Sequence, residues 1–325
     1  MHYRTVGFVL VISLIVAICQ WSTGQEPTSI IGSRWWPSEW GADDQRGALN
    51  RITPAKVVQA SRLIKEGKVY ELGRVYEHGM PLGGDRFFSL TIPGVPTSGP
   101  IGTNNLVSND ELFSGQIGQV GTQMDGLGHV GIRMGGKNLF YNGFDLDEFG
   151  NSQGLQKLGV ENMGPVYTRG ILLDVARAAG VRRLPVGYAI TPDDLEMALQ
   201  LTGLTIETGD VVLMHTGHGQ LWMVDNEEYS RGEPGIGMAA ARWLTDRKVS
   251  MIGADTWGIE QWPPADPEQI APVHMWTLTK HGVYHLENLN LTEIAKDKVY
   301  EFALVYVPLP LKGATGSPGS PIAVK

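Results

Sequence analysis

Cysteine is nearly missing from this chain of 325 residues, which contains only Cys19. One cysteine cannot form an intrachain disulfide, so the fold has to be stabilised by its hydrophobic core, which roughly 300 residues can supply. Charged residues are also few, at 18 %, the net charge is −8, and the sequence has no basic block. Because nucleic-acid binding depends on clustered lysine and arginine, we expect no nucleic-acid partner.

Long apolar stretches are rare as well. The most prominent one, residues 8–19, is shorter than the roughly 20 residues that a comfortable membrane span requires. It follows a short start that contains Arg4, and the small residues 22–24 come after it. This order is typical of a signal peptide over residues 1–24, which predicts a secreted or periplasmic protein without stable membrane association. An uncleaved leader would instead anchor the chain in the membrane, and that alternative stays open.

Glycine and proline are abundant, with 42 and 19 residues, and this favours a loop-rich globular enzyme over a helical bundle. Short apolar runs alternate with helix-start signals, which predicts one α/β domain over residues 25–325. We expect loops at residues 80–109. The predicted strands are residues 69–72, 171–175, 211–214, 249–253 and 300–307, and the predicted helices are residues 54–66, 191–202, 237–247 and 267–280.

The strongest local signal for chemistry lies at residues 119–129, which read QVGTQMDGLGH. Asp125 and His129 are four residues apart, and the glycines between them let the backbone approach a small bound group closely. A carboxylate and an imidazole are good ligands for a divalent ion. The spacing alone also fits a tight turn in which the two side chains only satisfy backbone groups.

These residues resemble the first motif of the kynurenine formamidase and isatin hydrolase group, the putative cyclase family, which reads His-x-Gly-Thr-His-x-Asp-x-x-x-His. The present chain has Gln119 and Gln123 in place of the first two histidines. The second part of the family signature also matches, with His274 and then residues 281–289, which read HGVYHLENL and contain Glu287. Further segments that resemble longer members are residues 40–50, 209–217 and 253–260. The resemblance therefore covers nearly the whole chain after the leader.

The resemblance implies an α/β fold of the swivelling β/β/α type and a site for two metal ions. By the family pattern, Asp125 would bridge the two ions, and His274 and Glu287 would hold one of them. His129, the last residue of the first motif, would act as acid and base. These four side chains are therefore the ones that we expect to carry the chemistry.

The two glutamines depart from the family pattern, because they replace both histidines that would hold the other ion. A glutamine carbonyl is a neutral oxygen ligand, weaker than imidazole for zinc but acceptable to manganese, magnesium or calcium. We therefore predict Gln119 and Gln123 as weak metal ligands. The expected cofactor is a divalent ion, Mn or Zn, in one secure site with a weak or absent second site.

The implied activity is metal-dependent hydrolysis of an amide, either an aryl formamide or a cyclic amide, or of a lactone. The substrate would be a small aromatic molecule, cleaved at a bond other than a peptide bond by a metal-activated water. The same ion and base could also drive dehydration or isomerisation. A third hypothesis is a secreted binding protein whose site decayed when the glutamines appeared. The resemblance also makes a homodimer one expected assembly, because exported members carry broad arm segments.

Four side chains outside the motifs are predicted to contact the substrate. His215 and His218 follow a predicted strand, so both could lie at its end beside the pocket, although a structural role fits them equally well. Trp222 and Trp257 could form a wall against a flat substrate ring.

Three other signals receive a structural interpretation. Residues 150–154, GNSQG, match a serine-hydrolase elbow around Ser152, but no strand-forming residues precede them, so we predict a loop. His281 is expected to cap the C-terminus of a helix, where a cation or donor meets free carbonyls. His285 alternates with Glu287 along a predicted strand, and we place it only near the site.

Overall fold

The computed structural model describes residues 29–325, so the predicted leader at residues 1–24 lies outside the described residues. No helix in this part of the chain is long and apolar enough to cross a membrane. The described strands are β1 (Val69–Glu71), β2 (Phe88–Thr91), β3 (Ser98–Ile101), β4 (Leu106–Ser108), β5 (Leu112–Gly115), β6 (Gln123–Asp125), β7 (Ile132–Met134), β8 (Lys137–Leu139), β9 (Val166–Asp174), β10 (Ala189–Ile190), β11 (Val211–His215), β12 (Gly235–Ile236), β13 (Met251–Ala254), β14 (Tyr284–Glu287), β15 (Glu301–Tyr306), β16 (Gly316–Pro318) and β17 (Ile322–Val324).

The helices are mostly short and lie between these strands. In chain order they are α1 (Pro54–Ser61), α2 (Leu146–Phe149), α3 (Val175–Ala178), α4 (Pro192–Thr202), α5 (Asn226–Ser230), α6 (Met238–Asp246), α7 (Pro272–His274) and α8 (Thr292–Lys296). A π-helix, Met275–Lys280, continues α7 directly. Single 3-10 turns are Gly47–Arg51, Tyr141–Gly143, Val160–Asn162 and His218–Leu221.

Nine strands form one large sheet in the order β1-β17-β15-β9-β11-β13-β14-β6-β16. Its centre, β9-β11-β13-β14, is parallel, and the strands on both sides of this centre are antiparallel. Each strand predicted from an apolar run coincides with a strand of this sheet. The predicted α/β class is therefore confirmed.

The central strands are apolar throughout because both faces of the sheet are covered. On β11, Val211 and Leu213 belong to one buried cluster, whereas Val212 and Met214 belong to the cluster on the other face. Successive side chains of a strand point to opposite faces, so a strand buried on both sides needs an uninterrupted apolar run. This is the pattern that the sequence shows.

Helix α4 begins and ends as its sequence predicts. The Thr191 hydroxyl accepts from the Asp194 amide, the Asp194 carboxylate accepts from the Thr191 amide, and Gly203 ends the helix at φ +68°. Helix α1 also begins at its predicted cap but ends at Ser61 rather than at residue 66. The amides of Glu66 and Gly67 instead donate to the carbonyl of Lys325, so the helix does not continue.

Two further predictions about element positions are wrong. Residues 80–109 are not all loop, because β2 pairs with β5 and β3 pairs with β4 to form two hairpins that carry exposed apolar side chains. The helix predicted from residue 267 begins only at Pro272, because Ala271 before it has a left-handed backbone, with φ +53°. A regular right-handed helix cannot pass through that conformation.

Candidate metal centre

The centre is assembled where β14 and β6 pair at one side of the parallel strands. In this antiparallel pair His285 lies opposite Asp125, and Glu287 lies opposite Gln123. His285 and Glu287 are two residues apart on one strand, so both side chains project from the same face. His274 reaches this face from the end of α7. The ligand atoms of Asp125, His274, His285 and Glu287 all lie within 4.8 Å of one another, and all four residues are buried.

Three buried atoms of this cluster have no hydrogen-bond partner, namely Asp125 Oδ2, His285 Nδ1 and Glu287 Oε1. A fourth atom, His274 Nε2, lies 3.4 Å from Glu287 Oε1. Leaving a buried polar atom unpaired costs about 1–3 kcal/mol, so several converging on one point require an explanation. Two imidazole nitrogens and two carboxylate oxygens form a ligand set that suits Zn²⁺ or Mn²⁺. The residues therefore fit a divalent ion.

Outer hydrogen bonds orient both imidazole rings toward this point. His274 Nδ1 donates to Glu260 Oε1 at 2.6 Å, which leaves the lone pair of Nε2 free for an ion. His285 Nε2 lies 2.6 Å from the Thr277 hydroxyl, whose own proton goes to the carbonyl of Val273 at 2.7 Å. His285 must therefore donate through Nε2, and its free lone pair is on Nδ1.

Glu260 is held in place by the helix that it orients. Its second carboxylate oxygen, Oε2, accepts from the Val273 amide at 2.8 Å, so each of its two oxygens accepts one hydrogen bond. From the sequence, His285 is expected only near the site, and no role is expected for Glu260. The two-residue alternation of His285 with Glu287 was the signal that could have identified it as a ligand.

The prediction that Gln119 and Gln123 are metal ligands is corrected by the structure. Gln119 Nε2 donates to Glu287 Oε2 at 3.0 Å, and Gln123 Nε2 donates to the same oxygen at 2.6 Å. Both amides therefore present N–H groups to the cluster, and an N–H group cannot ligate a cation.

Neighbouring groups fix the orientation of both glutamine amides. Arg86 Nη2 donates to Gln119 Oε1 at 2.9 Å, and because a guanidinium has no acceptor, the glutamine oxygen must face it. Asn288 Nδ2 donates to the carbonyl of Gly121 at 3.0 Å and to Gln123 Oε1 at 3.2 Å. Asn288 cannot flip, because Gly121 offers only an acceptor and the Tyr229 hydroxyl occupies Asn288 Oδ1 at 2.6 Å.

His129 lies next to the cluster and is more accessible than its members. Its Nε2 atom is 3.5 Å from Asp125 Oδ2, and its side chain is 28 % exposed. The tight turn between the two residues is closed by the His129 amide, which donates to the carbonyl of Gly126 at 3.0 Å. Gly126 is required there, since a Cβ at this position would lie 2.8 Å from the carbonyl oxygen of Thr315.

The electrostatics of the cluster are those of a site that needs a positive charge. Burial, reinforced by the neighbouring Glu287, raises the pKa of Asp125 to about 6. Burial also opposes protonation of His274, but Glu260 and Glu287 outweigh it and raise the pKa of His274 well above its ordinary value. Burial and the nearby histidines lower the pKa of His285 well below its ordinary value. The buried carboxylates thus favour a positive charge at the neighbouring imidazole.

A cleft of about 320 Å³ adjoins the cluster. Gln119 and Arg86 line one part of it, and Tyr229, Trp257 and Trp262 line another. The two indoles form an edge-to-face pair with ring centroids 6.1 Å apart. Trp257, which is predicted to contact the substrate, therefore lines this cleft.

The other predicted substrate contacts lie elsewhere. Trp222 packs under the guanidinium of Arg74, 4.9 Å from its ring centroid, and is not among the residues that line the cleft. His218 is fully buried and stacks on Tyr229, with ring centroids 5.0 Å apart. His215 bonds Asp174 through Nδ1 at 2.7 Å and borders a different cleft, so neither histidine reaches the metal centre.

The structural interpretations of two further residues have different outcomes. Ser152 follows α2 in a turn, with no strand before it, as predicted. His281 does end the π-helix, but burial lowers its pKa to about 4 and its ring packs on Trp276, with centroids 4.7 Å apart. His281 thus stands at the expected capping position, but its ring gives no hydrogen bond to a helix carbonyl, because Nε2 is buried without a partner.

Comparison with known proteins gives a consistent result. A family model described as a putative cyclase matches residues 70–261. The crystal structure of a novel cyclase is 34 % identical in sequence, with a TM-score of 0.79, and the match covers 88 % of this chain and 96 % of that chain. No curated protein matches the chain.

Two structures of isatin hydrolase A share the fold at low sequence identity. The enzyme from Ralstonia solanacearum is 20 % identical with a TM-score of 0.55, and the match covers 79 % of this chain and 92 % of that chain. The enzyme from Labrenzia aggregata, bound to benzyl benzoate, is 19 % identical with a TM-score of 0.56, and the match covers 83 % and 98 %.

Proposed function

This chain belongs to the putative cyclase family, and on that premise we propose that it is a metal-dependent hydrolase of small molecules. The observation that carries the proposal is the convergence of three unpartnered buried atoms, on Asp125, His285 and Glu287, at one point beside a cleft. A packing role does not explain them, because each would be better satisfied by an ordinary hydrogen bond.

Asp125, His274, His285 and Glu287 would hold the ion, for which we propose manganese or zinc. When bound, a divalent ion makes water a stronger acid and polarises a carbonyl group, which are the two demands of amide or ester hydrolysis. The protein contributes the orientation of the ligands, since Glu260 and Thr277 fix the two imidazole rings.

His129 is proposed to move the proton during hydrolysis. Its imidazole is partly exposed and lies 3.5 Å from the carboxylate of Asp125, so it can reach both the cluster and the solvent. A positioned imidazole can take a proton from the attacking water and return it to the leaving nitrogen or oxygen, which typically contributes about 10²–10⁴-fold to the rate.

The cleft supports a flat substrate of modest size. Trp257 and Trp262 offer aromatic surface, and Arg86 and Gln119 offer hydrogen-bond donors near the cluster. We propose an aryl formamide, a cyclic amide or a lactone, with cleavage of a carbon–nitrogen bond other than a peptide bond in the first two cases. The isatin hydrolases that share the fold are named for a substrate with such a ring.

We also propose that the leader directs export of the chain and that two copies of the chain associate through the β2–β5 and β3–β4 hairpins. Leu90 and Phe113 lie opposite each other on β2 and β5 and are 42 % and 61 % exposed, and exposed apolar side chains that lie together favour association. Light scattering of the purified protein tests this, and a monomer at micromolar concentration would contradict the pairing.

Metal content per chain, measured beside hydrolysis of aryl formamides, cyclic imides and lactones, tests the proposed function. The comparison is between the wild type, Asp125→Ala and Asp193→Ala, which removes an exposed aspartate as a matched control. We expect the wild type and the control to retain metal and to hydrolyse one of these classes, and Asp125→Ala to lose both. No bound metal in the wild type after incubation with zinc and manganese would refute the proposal.

A further inference from the structure

We infer that Gln119 and Gln123 form a hydrogen-bond clamp on Glu287 that excludes a second ion, so that the chain holds a single ion on four ligands. The inference rests on the proposed function, since it concerns the same centre. It differs from the two-ion arrangement that the family resemblance implies, and it gives the glutamines a role other than that of weakened metal ligands.

The clamp holds only one of the two carboxylate oxygens of Glu287. Both amides donate to one carboxylate oxygen, Glu287 Oε2, at 3.0 and 2.6 Å. The other oxygen, Oε1, receives no hydrogen bond and is the one that faces His274 Nε2 and His285 Nδ1, at 3.4 and 3.9 Å. The clamp therefore divides the carboxylate, with one oxygen held by the protein and one oxygen free for an ion.

The two glutamine amides cannot reverse to present their oxygens to an ion. Reversing Gln119 would place its N–H groups against the guanidinium of Arg86, and reversing Gln123 would place them against the amide N–H of Asn288. Each reversal would replace a hydrogen bond with two facing donors and leave a buried group unpaired. The side of Asp125 nearest the glutamines is thus lined by N–H groups, which repel a cation.

The clamp also stabilises buried negative charge. A second ion would normally compensate the two buried carboxylates of Asp125 and Glu287. Here two amide N–H groups compensate the negative charge of Glu287. Arg86 donates to the oxygen of Gln119, and this charge-assisted hydrogen bond strengthens the bond from Gln119 to Glu287. One ion then suffices for the remaining free oxygens.

Four side chains of the cluster offer ligand atoms to one ion. A single ion on Asp125, His274 and Glu287 would have three protein ligands, and His285 brings a fourth. His285 Nε2 donates to the Thr277 hydroxyl, so the free lone pair is on Nδ1. Nδ1 is fully buried and has no hydrogen-bond partner. No other group of the described residues satisfies it.

The test is metal stoichiometry after saturation with Mn²⁺ or Zn²⁺ and removal of the excess. We compare the wild type with Gln119→His/Gln123→His, which supplies two imidazoles at the clamp, and with Gln156→His, which adds a histidine at an exposed position. The expected contents are about one ion in the wild type and in the control and about two in the double variant. His285→Gln should weaken binding of the single ion by at least about 10-fold.

The outcomes separate the clamp from the proposed function. Two ions in the wild type, or one ion in a folded double variant, would overturn the clamp and leave the hydrolase proposal standing. Unchanged affinity in His285→Gln would overturn the four-ligand assignment. No ion in the wild type would overturn both proposals. Should the double variant fail to fold, electron paramagnetic resonance of the Mn²⁺-saturated wild type decides, because an isolated ion supports the clamp and a spin-coupled pair overturns it.

Discussion

Replacing Glu260 by glutamine is expected to weaken metal binding by about 10–100-fold, although Glu260 is not itself a ligand. Its two oxygens accept from His274 Nδ1 and from the Val273 amide, at 2.6 and 2.8 Å. A glutamine of the same shape has only one oxygen, so its NH₂ group must face one of these two donors. Either the His274 ring loses the bond that orients it, or the helix start before it is disturbed.

The magnitude follows from linkage between binding and folding. At a free metal concentration 100 times the dissociation constant, bound metal stabilises the wild type by about 2.7 kcal/mol. If affinity falls 10–100-fold at the same concentration, the stabilisation drops to between about 1.4 and 0.4 kcal/mol. For a chain of this size, about 1 kcal/mol corresponds to roughly 2 °C, so the metal-induced rise in melting temperature should shrink by about 3–5 °C.

Two measurements check this prediction, a chelator-competition titration for the dissociation constant and thermal unfolding with and without metal. Glu268→Gln, at an exposed glutamate, serves as the matched control and should change neither quantity. The reasoning would be refuted if Glu260→Gln kept the wild-type dissociation constant. A lower melting temperature of the metal-free Glu260→Gln variant would not support the reasoning, because it reports a loss of stability and not a loss of metal affinity.

The remaining predictions concern proton transfer, pH and substrate contact. His129→Ala should lower turnover by about 10²–10⁴-fold while metal content stays unchanged; full turnover would remove its assigned role. The contribution of Asp125 to the free energy of unfolding of the metal-free chain, measured as the difference between the wild type and Asp125→Asn, should fall as pH rises from 4 through 6, because the raised pKa of Asp125 favours its protonated form in the folded state. The lowered pKa values of His281 and His285 act in the opposite direction in both proteins and therefore cancel in this difference. Thermal unfolding with a chelator across this range checks the sign, and a rise with pH would contradict it. Trp257→Ala should raise KM for aromatic substrates several-fold, whereas Trp222→Ala, outside the cleft lining, should leave KM near the wild-type value; equal effects would show that the cleft is misassigned.

The parts of the fold that sequence reasoning finds are those determined locally. A strand buried on both faces, such as β11, must be apolar along its whole length, and α4 carries its own cap and stop in Thr191 and Gly203. The β2–β5 and β3–β4 hairpins are not predicted, because glycine, proline and serine indicate turns but not whether the chain between the turns forms paired strands. The start of α7 was placed too early because the left-handed backbone of Ala271 is not visible in its residue type.

The centre shows the same division between local and distant causes. The structure brings together Asp125, His274 and Glu287, which the family resemblance pointed to. The direction of the two glutamine amides could not be read from the motif, because it is set by Arg86 and Asn288, which lie outside residues 119–129. Which end of each amide donates is set by side chains that come into contact only in the folded chain.

The π-helix at Met275–Lys280 has a consequence for insertions and deletions. Each of its turns holds about one residue more than an α-turn, so it has the geometry of an α-helix that has accepted an extra residue. Removing Met275 or Trp276 would let the segment tighten into an α-helix and would rotate Thr277 relative to His274. Thr277 would then lose its place beside His285, while the helix itself survived. A single-codon deletion in this segment should therefore be tolerated by the fold and not by the metal centre, which makes its length a marker of site integrity among relatives.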